Sequence, residues 1–151
     1  MREVLFRGKR KYNGEWVYGN YCGAEYLTSD GIEHLIIEVP RSGSSARVLP
    51  ETVGQYTGLT DKNGKKIFEG DIVKATITSN MEIGDYTKAD IGVVGYDNIG
   101  VLGIVKYYDN GVPVWSDIIH ELELSGAVID YSFEVIGNIH DNPELLKGGA
   151  E

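Results

Sequence analysis

The chain has 151 residues and a formal charge of −9, with 42% hydrophobic and 25% charged side chains. That mix excludes a disordered chain, and no run approaches the roughly 18–20 apolar residues that a membrane-spanning helix needs. Residues 1–81 carry 11 basic and 10 acidic side chains against 3 and 13 in residues 82–151, so only a patch in the first half could attract a nucleic-acid backbone or an anionic membrane. The 20 Gly and 10 Tyr predict a mainly β protein with many tight turns. A single cysteine, Cys22, rules out an intrachain disulfide and argues against a cysteine metal site. Residues 1–6 are too short and too charged for a signal sequence, so a cytoplasmic protein is expected.

In chain order, Val4 and Phe6 open an alternating strand that ends in the basic run Arg7, Lys9, Arg10 and Lys11. Asn13-Gly14 predicts a hairpin turn, and residues 15–19 the returning strand with Trp16. Asp30-Gly31 offers another turn, between Tyr26-Leu27 and the strand 35–39. Residues 40–45, PRSGSS, read as a flexible loop. Residues 53–74, VGQYTGLTDKNGKKIFEGDIVK, read as strand, turn and strand around Asn63-Gly64, expected as a type I′ turn, and then a new buried run from Ile72. Residues 79–97 are polar and glycine-punctuated, readable as a mobile insertion or as a further hairpin. A buried strand is expected at 101–108, then a turn at 109–111 and a short apolar run through Trp115. Ser116 could cap a short helix to Leu124, although the Leu122/Leu124 alternation speaks for a strand. Residues 132–137 read as strand, and Asn142-Pro143 as the capped start of a helix of about one turn.

The stretch 53–74, the Arg-rich opening strand with its Trp-containing return, and the block FEVIGNIHDNPELL at 133–146 resemble the YopX family. These are small proteins of phages and prophages of Gram-positive bacteria. The resemblance implies a phage or prophage accessory protein and brings no assigned biochemical function with it. A single YopX-like domain over 1–151 is expected, with a strand-rich part at 1–52. A signature hairpin and a small SH3-like, barrel-like part would then span 53–151.

The candidate chemistry is sparse. Gly54, Gly58, Gly64 and Gly70 suit backbone positions of positive φ or close approach. Arg7, Lys9, Arg10, Lys11, Lys62, Lys65 and Lys66 are the candidate binding residues, either for a phosphate backbone or as edge lysines that discourage aggregation. Residues 92–103 do not form a dinucleotide-binding glycine motif. His34, His120 and His140 lack the spacing of a zinc helix. Glu69/Asp71 and Glu121/Glu123 have strand-face spacing for an acid/base or Mg²⁺ site, but read as solvated surface in so acidic a chain. Cys22 reads as a small, buried or half-buried side chain. Tyr107, Tyr108, Trp115, Tyr131 and Phe133 read as core, with a peptide- or nucleic-acid-binding groove as the alternative. The expected protein binds a partner without catalysis, needs no cofactor, and forms a homo-oligomer or docks on a phage or host protein. A nucleic-acid role through the basic residues comes second, disfavoured by net charge, and a carboxylate- or metal-dependent enzyme third.

Overall fold

A computed structural model describes residues 3–28, 31–39, 44–81, 84–96, 102–107, 113–115 and 128–147. Every long element in them is a strand, and the two short helical pieces are single 3-10 turns. The chain divides into two compact units, Met1–Leu59 and Thr60–Glu151.

In the first unit, β1 (Phe6–Lys9), β2 (Trp16–Thr28), β3 (Gly31–Glu38), β4 (Ser45–Arg47) and β5 (Gly54–Thr60) form an antiparallel sheet ordered β4-β3-β2-β1-β5. The first hairpin closes where expected: Arg10 N–H donates to Glu15 O at 2.8 Å and Gly14 N–H to Arg10 O at 3.0 Å, with Gly14 at φ 72°. Register then decides which face each side chain takes, because neighbours along a strand point to opposite faces. Gly8 lies opposite Val17, Tyr21 opposite Ile36, and Ile36 opposite Ala46. Their shared face holds the core of Val17, Ile36, Ala46 and Val48, with Phe6 and Val53 packed against it. Ile36 is fully buried, worth about 1.5–3 kcal/mol in transfer free energy. A 3-10 turn at Pro50–Thr52 carries the chain from β4 to β5. Thr52 Oγ1 accepts from Lys9 N–H at 2.9 Å and donates to Leu49 O at 2.6 Å, which ties that crossover to β1.

The second unit contains β6 (Lys66–Phe68), β7 (Asp71–Met81), β8 (Gly84–Tyr96), β9 (Leu102–Tyr107), β10 (Pro113–Trp115) and β11 (Val128–Asn138). The last five form an antiparallel sheet ordered β10-β9-β8-β7-β11. Four strands run as a meander and β11 returns beside β7 with a register shift between Val135 and Gly137. Ile67, Val73 and Val94 make the core, with Phe133 and Val135 against it. Ile72 and Val73 are consecutive and both buried, so both faces of β7 are covered at its start.

Several expectations are corrected. Of the two readings of residues 79–97, the described ones take the hairpin: the strands β7 and β8 pair from Ile72↔Val93 to Met81↔Gly84. Ser45, expected in the loop, begins β4. Asn142 does not cap the final 3-10 turn; its side chain accepts from Asn138 N–H at 3.3 Å instead. Pro143 does occupy the first position of that turn. Cys22 is exposed, because the β2 residues beside it extend past β1. The expected helix or strand at 116–124 and the turn at 109–111 lie outside the described residues, as does most of the 40–45 loop.

Candidate functional site

Two of the three stretches that carry the family resemblance, 53–74 and 133–146, meet at Asp61. Its Oδ1 accepts from Asn63 N–H and Lys65 N–H, each at 2.9 Å, which shapes the turn locally. Its Oδ2 accepts from Val135 N–H of β11 at 3.0 Å, across 74 positions of sequence. Lys62 N–H donates to Phe133 O at 2.9 Å, and the Lys62 ammonium lies 3.3 Å from Glu134 Oε2. The turn is thus laid along β11 and occupies part of its hydrogen-bonding edge. Burial of Asp61 works against its ionisation. The three backbone N–H groups of Val135, Lys65 and Asn63, with the Lys65 charge, outweigh that and hold its carboxyl below the ordinary value of 3.8.

The turn itself differs from the expected type I′. Asp61 N–H donates to Lys65 O at 2.8 Å and Gly64 N–H to Asp61 O at 3.0 Å. Gly64 has φ 80°, whereas no non-glycine described residue, Asn63 included, has positive φ. This is the three-residue hairpin form, a type I turn followed by a left-handed glycine.

A second polar knot closes the end of β11. Asp71 is 1% exposed, and its Oδ2 accepts from Phe68 N–H at 2.8 Å. Opposite it in register, Asn138 accepts through Oδ1 from His140 N–H at 3.0 Å and Asp141 N–H at 2.9 Å, and donates through Nδ2 to Asp141 Oδ2 at 3.1 Å. Ile139 N–H donates to Gly70 O and Gly70 N–H to Val94 O, each at 3.0 Å. Asp71 is therefore a buried turn-former, contrary to its expected place on the solvated surface. Glu69 sits in the turn before β7, so the two carboxylates do not share a strand face. Among the described residues no group of three His, Cys, Asp or Glu could hold a metal ion. His120, Glu121 and Glu123 lie outside the described residues.

The expected binding residues are distributed over both units. Arg7 is 6% exposed, with its guanidinium carbon 4.6 Å from the Trp16 ring centre, and the Lys9 ammonium is 5.5 Å from the same ring. Arg10 pairs with Glu38 at 2.5 Å. Lys11 is exposed in the first hairpin loop. In the second unit Lys62 pairs with Glu134, Lys65 is exposed beside Asp61, and Lys66 is half-buried in β6. Phe133 joins the core as expected, while the side chains of Tyr107, Tyr108, Trp115 and Tyr131 are outside the described set.

Two features of the first unit have no sequence signal. One is the sheet face opposite the core. Register puts Arg7 beside Tyr18, Lys9 beside Trp16 and Asn20 beside Ile37 on it, and Val39 N–H reaches Tyr18 O at 3.4 Å. Tyr18, Ile37 and Val39 are 44%, 39% and 56% exposed there. The other is a pocket of about 50 Å³ where Lys11, Glu33, His34, Arg47 and Leu49 converge. Neither could be read from spacing, since each joins residues on different strands.

The fold and these sites define a mainly β, antiparallel protein in which the described polar groups mostly fix turns and strand edges. The chain belongs to the YopX family: the family model described as YopX protein matches residues 5–147. No curated protein matches it. A crystal structure of protein EF1440 from Enterococcus faecalis is similar, at 24% identity over 97% of this chain and 99% of that one, with a TM-score of 0.46. No helix among the described residues is long and apolar enough to cross a membrane.

Proposed function

We propose that this protein is a phage or prophage accessory protein that works by binding rather than by catalysis, and that its first partner is a second copy of itself. The observation that carries this is the outer face of the first sheet. Tyr18, Ile37 and Val39 are neighbours there and are exposed, while Trp16 with Arg7 and Lys9 borders them. Tyr, Trp and Arg are the residue types that dominate binding hot spots. The exposed centre carries no charge, so an identical copy can face it without like-charge repulsion, and two-fold self-association is the commonest assembly. The second unit holds 7 basic and 16 acidic side chains, a net of −9, which opposes stacking beyond the dimer. Family membership supports the phage or prophage setting. A nucleic-acid role is the weaker reading, because Arg7, Lys9, Arg10 and Lys62 already contact an aromatic ring or a carboxylate.

Sedimentation of the full chain across a dilution series tests this. A mass above the monomer that falls to the monomer in Ile37→Lys, with an unchanged circular dichroism spectrum, is the expected result. A monomer at every concentration, or an Ile37→Lys assembly identical to wild type, overturns it.

A further inference from the structure

β11 is the outer strand of the second sheet, and its 11 residues, VIDYSFEVIGN, include none of the lysines or prolines that usually blunt such an edge. Phe133 O and Val135 N–H both bond to the signature turn, so they point away from β7. Alternation along an antiparallel ladder gives Ile129 and Tyr131 outward-pointing backbone groups on the same side. Among the described residues, the partners supplied to that edge are Asp61 and Lys62. We infer that the signature turn is an edge guard, holding closed a strand-pairing surface on β11 whose competing occupant is β11 of a second copy.

The guard has two parts. Lys62 offers a backbone N–H to Phe133 O at 2.9 Å, as a neighbouring strand would. The Asp61 carboxylate takes the place of that strand's next carbonyl, 3.0 Å from Val135 N–H. What it excludes follows from the sequence of β11. Antiparallel pairing of two copies about Tyr131 sets Ile129 opposite Phe133, Asp130 opposite Ser132 and Val128 opposite Glu134. The apolar pair Ile129 and Phe133 then meets twice and no two carboxylates are opposed. Such a contact is self-complementary, the form that two-fold assembly requires. It also needs Phe133 O, the atom that Lys62 N–H occupies. Turn and second copy therefore compete for one edge. This surface lies in the second unit and does not rest on the first-sheet contact proposed above.

The test uses the full chain carrying Ile37→Lys, so that failure of the first-sheet contact and failure of this inference give separate results. Asp61→Ala removes the acceptor for Val135 N–H. Lys62→Pro removes the donor to Phe133 O and suits the second position of a type I turn. Sedimentation across a dilution series should show each variant moving from the mass of the Ile37→Lys parent toward twice that mass, with an unchanged circular dichroism spectrum. Exchange of the Tyr131 and Phe133 amides in the variants should slow at least about tenfold as concentration rises. Ile129→Pro added to either variant should return the mass to the parent's, because proline is tolerated where an edge N–H faces outward but cannot donate to a new strand. Folded variants that keep the parent's mass at every concentration, association that survives Ile129→Pro, or Tyr131 and Phe133 exchange independent of concentration overturns the inference.

Discussion

Removing the carboxylate of Asp61 should cost the second unit more than any other single polar change in its signature turn. Asp61→Ala leaves the N–H groups of Asn63, Lys65 and Val135 without their acceptor. Hydrogen bonds to an ionised group contribute about 1.5–3 kcal/mol each. The three share one carboxylate and are not additive, and the two turn amides can recover water, so the net loss is about 3–5 kcal/mol. Against a total stability on the order of 5–15 kcal/mol, that is a large fraction. Asp61→Asn keeps the shape and one acceptor oxygen, and should lose about 1–3 kcal/mol. The pH dependence has a definite sign. The folded-state carboxyl titrates below its ordinary value of 3.8, so its stabilisation is complete above that value and is lost as pH falls through the folded pKa. The wild-type advantage over Asp61→Asn should therefore be constant from neutral pH to about 5 and shrink below 3.8. Urea unfolding at a series of pH values measures it, with exchange of the Val135 amide as the local readout. An Asp61→Asn chain as stable as wild type at pH 7, or a difference that widens in acid, would refute the reasoning.

Two other changes have outcomes set by local geometry. In Gly137→Ala the new Cβ would lie 2.6 Å from Asn142 Oδ1 and 2.9 Å from Asn142 Cβ, so thermal unfolding should show a loss of about 1–3 kcal/mol. Asn142→Gly in the same chain should recover part of it, and Asn142→Ala should not, because its Cβ remains. Lys62→Ala removes an ion pair whose side chains are 50% and 39% exposed. It should cost no more than about 1 kcal/mol and less in high salt; a larger, salt-independent loss would mean that the Lys62 stem packs rather than pairs.

What the sequence determined by itself is the local chemistry of strands and turns. Asn13-Gly14 and Asn63-Gly64 sit at reversals because glycine enters the left-handed region freely, and both glycines do so. The mainly β character follows from glycine-punctuated, β-branched and aromatic runs, and Pro143 starts the last turn because its fixed φ suits that position. Even here the exact turn form escaped, since Asp61 supplies hydrogen bonds that favour a type I turn with a following glycine. Which polar groups go inside was decided only by tertiary structure. Asp61 and Asp71 look like any other carboxylates in an acidic chain, yet one finds the Val135 amide and the other a place in register with Asn138. Arg7 opens a basic run and is nevertheless buried, and Lys11, His34 and Arg47 share a pocket only because β3, β4 and the first loop are hydrogen-bonded side by side. Turn preference is fixed within about four residues, whereas burial and pairing depend on the register of strands brought together from distant parts of the chain.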